Sequence, residues 1–115
     1  MNNLYYFRSI SGIQPVVLSK LLNVTVHTYI AYEQEKMDAP FEIMKMLSLI
    51  YCVNIRSLSL PENLIPKETI KKVEQLSMLS DDDRIACCTE NLLGKGCKLN
   101  YRNVRSKKEE IKKNR

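Results

Sequence analysis

The chain has 115 residues, 44% of them hydrophobic and 27% charged, a balance typical of a small globular domain, and its formal net charge is +5. One domain with an appendage fits this length, and no apolar run reaches the ~20 residues that span a membrane. Because no basic region followed by a long apolar run opens the sequence, we expect no secretory signal and no membrane association, and we expect a cytoplasmic protein.

The first two helices are predicted from the residues at their ends. A helix over about Leu4 to Ser11 ends at Gly12, because glycine accepts the left-handed conformation that closes many helices. Gln14 and Pro15 then begin a second helix, since proline at the first helical position loses no hydrogen bond. The leucines that follow give this second helix one apolar face.

A tight turn and a third helix come next. Asn23 tolerates the left-handed conformation of a helix-ending turn, and Thr25 supplies an N-cap oxygen for the free amides of the next helix. The third helix is predicted from about Val26 to Gln34, with Tyr29 and Tyr32 on its inner face. Two helices joined by a turn of three or four residues have the order that places the second helix in a DNA major groove.

A fourth helix is predicted over Phe41 to Tyr51, after a loop that ends at Pro40. Asn54 then caps a short fifth helix through Leu58. Residues 1–60 are therefore predicted to form a five-helix bundle. The side chains of the fourth helix that are assigned to its core are Phe41, Met44, Leu47, Leu49 and Ile50.

Residues 61–97 predict a C-terminal helical hairpin. Pro66 begins its first helix, and Ser80 caps its second, where the aspartates at 81–83 favour the positive end of the helix. The apolar face of this second helix is assigned to Ile85, Cys88, Leu92 and Leu93. A hairpin this short buries little by itself, so it packs either on the N-terminal bundle or on a second subunit, and the sequence leaves both open.

A basic tail is predicted over residues 98–115. It carries eight Lys or Arg against two Glu, whereas the rest of the chain has ten Lys or Arg against eleven acidic residues. All of the positive excess therefore lies in the tail, which has too few aliphatic residues for a core and is expected to be flexible. Either it is simply solvated or it makes non-specific contacts with phosphates.

Catalysis and metal binding find no support in the sequence. The four cysteines lack paired CxxC spacing and the single histidine, His27, lies in the predicted third helix, so we expect no metal site and reduced core thiols. A Gly-rich phosphate loop is missing as well, and no catalytic arrangement is recognisable. The sequence thus predicts neither an enzyme nor a cofactor.

An ordered series of residues resembles the Cro/repressor-type (XRE-like) helix-turn-helix family. The resemblance implies an all-α, five-helix lambda-repressor-like DNA-binding bundle for residues 1–60, followed here by the hairpin and the basic tail. It also implies a transcriptional regulator whose third helix enters the major groove of double-stranded operator DNA, bound as a homodimer. The series is Gly12-Ile13-Gln14-Pro15, Leu18-Ser19, Leu22-Asn23-Val24-Thr25, Thr28-Tyr29-Ile30, Tyr32-Glu33 and Pro40.

The matching family positions imply a set of DNA contacts. Base contacts fall on Val26, His27, Thr28 and Ala31, and phosphate contacts fall on Thr25 and Lys36. The glutamine with which the family anchors a phosphate at the start of the second helix is replaced by Pro15, so that contact is assigned to Gln14, one place earlier. Few hydrogen bonds to base edges are expected, because Arg, Lys, Asn and Gln, the side chains that usually make them, are missing from residues 26–31. Glu35 stands where the family often has glycine, and its charge repels phosphate.

The resemblance also pairs Arg8 with Glu33. These residues match a structural ion pair that links the first helix to the end of the third. Arg8 is therefore assigned to helix orientation and not to a phosphate.

In a second hypothesis, the same helix-turn-helix fold acts as a protein–protein interaction module. Residues 1–60 carry five Lys or Arg and four acidic residues, without the clustered basic face of a strong DNA binder. The apolar residues Val26, Ile30 and Ala31 then dock a protein partner, as in an antitoxin or a regulator-binding module, with weak or no DNA binding. Salt separates the two hypotheses, because phosphate contacts weaken steeply as salt rises.

Overall fold

The computed structural model describes residues 2–94, and within this range all regular structure is helical. The predicted all-α class is confirmed, and the predicted helices begin and end close to the observed ones. The tail at 98–115, like Cys97, lies outside the described residues. The helices are α1 (Leu4–Ser11), α2 (Pro15–Leu22), α3 (Val26–Glu33), α4 (Phe41–Tyr51), α5 (Lys67–Ser77) and α6 (Asp81–Leu92), with 3₁₀ helices at Ile55–Ser59 and Glu62–Leu64.

The helix ends follow from local side-chain chemistry. Thr25 accepts a hydrogen bond from the backbone N–H of Thr28 (3.1 Å), Asn54 from that of Arg56 (2.9 Å) and Ser80 from that of Asp83 (3.2 Å). The three predicted N-caps are therefore confirmed. Gly12 ends α1 in the left-handed conformation at φ 75°, as predicted. The predicted fifth helix is a 3₁₀ turn.

One core joins all six α-helices. The hairpin shares this core, because α5 packs on α1 and α6 packs on α4. The hairpin is therefore packed within its own chain, which was one of the two arrangements that the sequence left open. The buried apolar side chains are Leu4, Phe7, Ile13, Leu18, Leu22, Tyr29, Tyr32, Ile43, Leu47, Ile50, Tyr51, Leu58, Ile65, Val73, Leu76, Cys87 and Cys88.

Arg84 holds the turn of the hairpin. Its guanidinium donates hydrogen bonds to the carbonyl oxygens of Leu76 (2.7 Å), Ser77 (3.3 Å) and Leu79 (2.7 Å), and pairs with Asp81 at 2.9 Å. Carbonyls at a helix C-terminus have no partner inside the helix, and a cation is favourable there. The side chain of Arg84 thereby ties the end of α5 to the start of α6.

Four of the core assignments are wrong. Phe41, Leu49, Ile85 and Leu93 are exposed, whereas Ile43 is buried instead. In α4 the buried stripe runs through residues 43, 47, 50 and 51, because α4 packs on α2 and α6 with that side. In α6 the buried face is rotated so that Asn91 donates to the carbonyl oxygen of Ile50 (3.0 Å), a contact between distant parts of the chain.

The cysteines divide into two kinds. Cys87 and Cys88 are buried free thiols, as expected for core cysteines. Cys52 is disulfide-bonded, so the expectation of reduced thiols is wrong for it. Cys52 is partly exposed at the end of α4, unlike the two buried cysteines.

Between residues 2 and 94, none of the helices combines the length and the apolar character that crossing a bilayer requires.

Candidate nucleic-acid interface

A turn of three residues, 23–25, joins α2 to α3. Asn23 adopts φ 58°, and its N–H donates to the carbonyl oxygen of Lys20 (3.1 Å), while the N–H of Val24 donates to that of Ser19 (3.0 Å). These two bonds form a Schellman motif, which closes α2 and turns the chain sharply. Because α2 and α3 then pack on each other, the direction of α3 is set by its neighbour.

An ion pair anchors α3 to α1. Arg8 donates two hydrogen bonds to the Glu33 carboxylate, Nε to Oε2 at 2.5 Å and Nη2 to Oε1 at 3.1 Å. The side chains of Arg8 and Glu33 are 15% and 4% exposed. The hydrogen bond to Glu33 raises the pKa of Arg8, and the guanidinium lies 5.5 Å from the ring centre of Tyr5. The charge of Arg8 is thus used inside the fold, in agreement with its structural assignment.

The outer face of α3 carries few polar groups. His27 and Gln34 are exposed and Ala31 is partly exposed, at spacings that place them on one side of the helix. Val26 and Ile30 flank this side, both of them partly exposed, while Tyr29 and Tyr32 face the core. Since the hairpin packs on α1 and α4, the described residues leave this face of α3 accessible.

The hydroxyl groups of Thr25 and Thr28 are hydrogen-bonded to each other. The Thr25 hydroxyl donates to Thr28 Oγ1 at 2.8 Å and accepts from the Thr28 N–H. Two hydroxyl groups that are bonded to each other have one hydrogen left between them. The pair therefore has a single hydrogen for a phosphate or a base, although the sequence assigned a DNA contact to each residue.

The remaining predicted phosphate contacts are Gln14, which precedes α2, and Lys36, which follows α3. Gln14 precedes α2, is exposed and does not cap that helix with its side chain. It lines the same surface cavity as Asp81 and Arg84, and these two charged side chains are paired with each other. Lys36 is exposed just after α3, and its N–H donates to the carbonyl oxygen of Ala31 (2.9 Å).

Gln34 belongs to this surface and was missed in the sequence. It lies seven residues after His27, which is two helical turns on the same side, and its side chain is exposed. An amide N–H₂ at this edge can donate to a phosphate oxygen. The helical spacing is visible in the sequence, but the contact positions implied by the resemblance lie in the first turns of the helix and do not include Gln34.

Glu35 occupies a left-handed position that ends α3. Its φ is 58°, and its N–H donates to the carbonyl oxygen of Tyr32 (3.2 Å). Together with the bond from the Lys36 N–H to the Ala31 carbonyl oxygen, this bond forms a Schellman motif. A side chain in this conformation costs roughly 1–2 kcal/mol relative to glycine. The backbone here is thus one that glycine adopts without strain, and a residue with a carboxylate side chain occupies it.

Replacing Glu35 with glycine is expected to stabilise the fold and, under the DNA-binding hypothesis, to strengthen DNA binding. The Glu35→Gly variant should gain about 1 kcal/mol in the free energy of unfolding from the relieved conformation. Removing a negative charge beside α3 should also raise affinity for DNA at low salt. Urea denaturation and DNA titration measure the two effects separately.

The matched control is Glu35→Gln, which removes the charge but keeps a side chain at the left-handed position. It should raise DNA affinity without the gain in stability. Equal stability of Glu35→Gly and Glu35→Gln would contradict the conformational argument.

The chain was compared with known proteins. No protein-family model, no curated protein and no solved structure matches it.

Proposed function

We propose that the protein is a sequence-specific DNA-binding transcriptional regulator of the Cro/repressor type. Residues 1–60 form its lambda-repressor-like helix-turn-helix domain, and α3 enters the major groove of operator DNA. The observation that carries the proposal is the accessible face of α3, held at a defined angle by the turn after α2 and by the Arg8–Glu33 pair. A helix presented in this way fits the width of the major groove.

The residues around α3 have distinct roles in this proposal. Gln14 and Lys36 contact phosphates on the two sides of the helix, and the single free hydrogen of the Thr25–Thr28 pair adds one polar contact. His27 and Val26 reach the base edges, together with Ala31 one turn later. Phosphate contacts set the register of the protein on DNA, whereas base contacts give specificity.

The proposal includes a homodimer in the cytoplasm. Cro/repressor-type proteins read two half-sites about one helical turn apart, so two copies of α3 must face the same side of the duplex. The basic residues at 98–115 supply non-specific phosphate attraction that residues 2–94 do not supply. Residues 2–94 carry nine Lys or Arg against eleven acidic residues.

Selection from a random double-stranded DNA library tests the proposal with the full chain. A defined sequence should be enriched at low salt, and its association constant should fall as salt rises. A plot of the logarithm of this constant against the logarithm of the salt concentration should have a slope of about −0.9 per neutralised phosphate. Failure to enrich any sequence at low salt would overturn the proposal.

Two alanine-to-glutamate variants then locate the interface. Ala31→Glu places a negative charge on the outer face of α3 and should weaken binding to the selected site on the order of 100-fold, since like charges in contact cost several kcal/mol. Ala86→Glu makes the same change at an exposed position of α6 and should leave affinity within about twofold. Equal binding by the two variants, both shown by circular dichroism to be folded, would contradict an interface on α3.

The net charge of residues 2–94 favours the protein-binding alternative as a second candidate. With more acidic than basic residues over 2–94, this part does not attract phosphate by itself. If Val26, Ile30 and Ala31 dock a protein partner instead, then binding to that partner should change little with salt. The salt series therefore discriminates between the two functions.

A further inference from the structure

The polar groups on α3 are too few to read base edges by hydrogen bonding. Discrimination of base pairs in the major groove usually depends on bidentate bonds from Arg, Lys, Asn or Gln. The eight residues of α3, VHTYIAYE, include none of these. Glu33 is engaged by Arg8, and both tyrosines are buried.

The hydrogen bonds that remain are single ones. The Thr25–Thr28 pair has one free hydroxyl hydrogen, and His27 makes one bond at a time with a base edge. Because guanine, adenine and thymine all present acceptors in the major groove, one such bond distinguishes base pairs poorly. Gln34 has an amide, but it follows the last turn of α3, two turns away from His27.

What α3 does present is apolar. Val26, Ile30 and Ala31 all lie partly exposed on or beside its outer face. Among unmodified bases, the only apolar group displayed in the major groove is the 5-methyl of thymine. The thymine methyl is therefore the one group in the major groove that matches the apolar side chains on the outer face of α3.

From this match we infer that α3 recognises its DNA site chiefly through thymine methyl groups, with Val26 and Ala31 as the contacting side chains. The inference rests on the proposed DNA-binding function and names the sequence class that this function requires: sites with thymines at the positions facing α3. Hydrogen bonds to phosphates position the helix, and the methyl contacts select the sequence.

Uracil substitution tests the inference without altering the protein. Uracil pairs like thymine and lacks only the methyl group, so each contacted thymine of the selected site is replaced in turn and binding is measured by fluorescence anisotropy. Affinity should fall about three- to fivefold at each contacted thymine, the loss expected for one buried methyl. Uracil at thymines flanking the contacted base pairs should have no effect.

Two valine variants connect the methyl effect to α3. Val26→Ala should bring the thymine-to-uracil affinity ratio close to one at the thymine it contacts, because the partner of the methyl is gone. Val16→Ala makes the same change at an exposed position of α2 and should leave the ratio unchanged.

The outcomes separate the two proposals. If a specific site is bound but uracil is tolerated at every thymine, the inference is overturned while the DNA-binding function stands. If no DNA sequence is bound at any salt concentration, both are overturned. If uracil weakens binding but Val26→Ala and Ala31→Gly retain the full ratio, then α3 is not the reader.

Discussion

Arg8→Ala is expected to lower the free energy of unfolding by about 3–5 kcal/mol, the usual cost of leaving one partner of a buried ion pair alone. The Glu33 carboxylate is 4% exposed and accepts two hydrogen bonds from Arg8, so water does not replace what is lost. Contact between α1 and the end of α3 weakens at the same time. Urea denaturation followed by circular dichroism measures the loss.

DNA affinity per folded molecule should change much less than stability in this variant, because Arg8 is used in orienting α3 and not in binding phosphate. The control is the double variant Arg8→Met with Glu33→Leu, which removes both charges and should recover much of the stability. An unchanged melting temperature for Arg8→Ala would contradict the structural assignment of this pair.

A second large effect is expected at high pH. Burial raises the pKa of the Tyr29 and Tyr51 hydroxyls far above the usual value of 10.0, so these groups stay neutral in the folded state and ionise on unfolding. Their contribution to stability is complete below pH 10 and is lost as the pH rises above it. Between pH 10 and pH 12 the loss should reach about 5 kcal/mol for the two groups together, enough to unfold a domain of ordinary stability.

Cys88 starts the same trend at lower pH. Burial raises the pKa of its thiol from 9.0 to about 12, so stability should begin to fall from about pH 9. Urea denaturation at several pH values, together with ultraviolet absorbance of tyrosinate, follows the unfolding and the ionisation in one series.

Tyr51→Phe isolates one of the two tyrosines. The ring of Tyr51 stacks on Phe7 with a centroid distance of 5.6 Å, and phenylalanine keeps this contact. Within residues 2–94 the buried Tyr51 hydroxyl makes no hydrogen bond of normal geometry, so its removal should raise stability at pH 7 by about 1 kcal/mol and reduce the alkaline loss. Tyr5→Phe changes an exposed tyrosine and should alter neither the stability at pH 7 nor the loss of stability at high pH. If Tyr51→Phe loses as much stability at high pH as the unaltered protein does, then ionisation of the buried Tyr51 phenol is not the cause of that loss.

The candidate site shows where sequence reasoning reaches its limit. The order of residues around α3 was visible because helical spacing alone decides that Tyr29 and Tyr32 share one side and that His27 and Ala31 share the other. The bond between the Thr25 and Thr28 hydroxyls was not visible, since the cap oxygen has several local partners to choose from. Asp81 and Arg84 beside Gln14 were equally out of reach, because they lie more than sixty residues away along the chain.

Local residue patterns were sufficient to predict the six α-helices and their ends, including the glycine that closes α1 and the caps at Thr25 and Ser80. These features depend on backbone conformation and on hydrogen bonds within three or four residues, which neighbouring side chains control. The buried sides of α4 and α6, and the packing of the hairpin on its own bundle, could be read only from the assembled fold. Those outcomes depend on contacts such as Asn91 with the Ile50 carbonyl, which form between distant segments once the whole core is assembled.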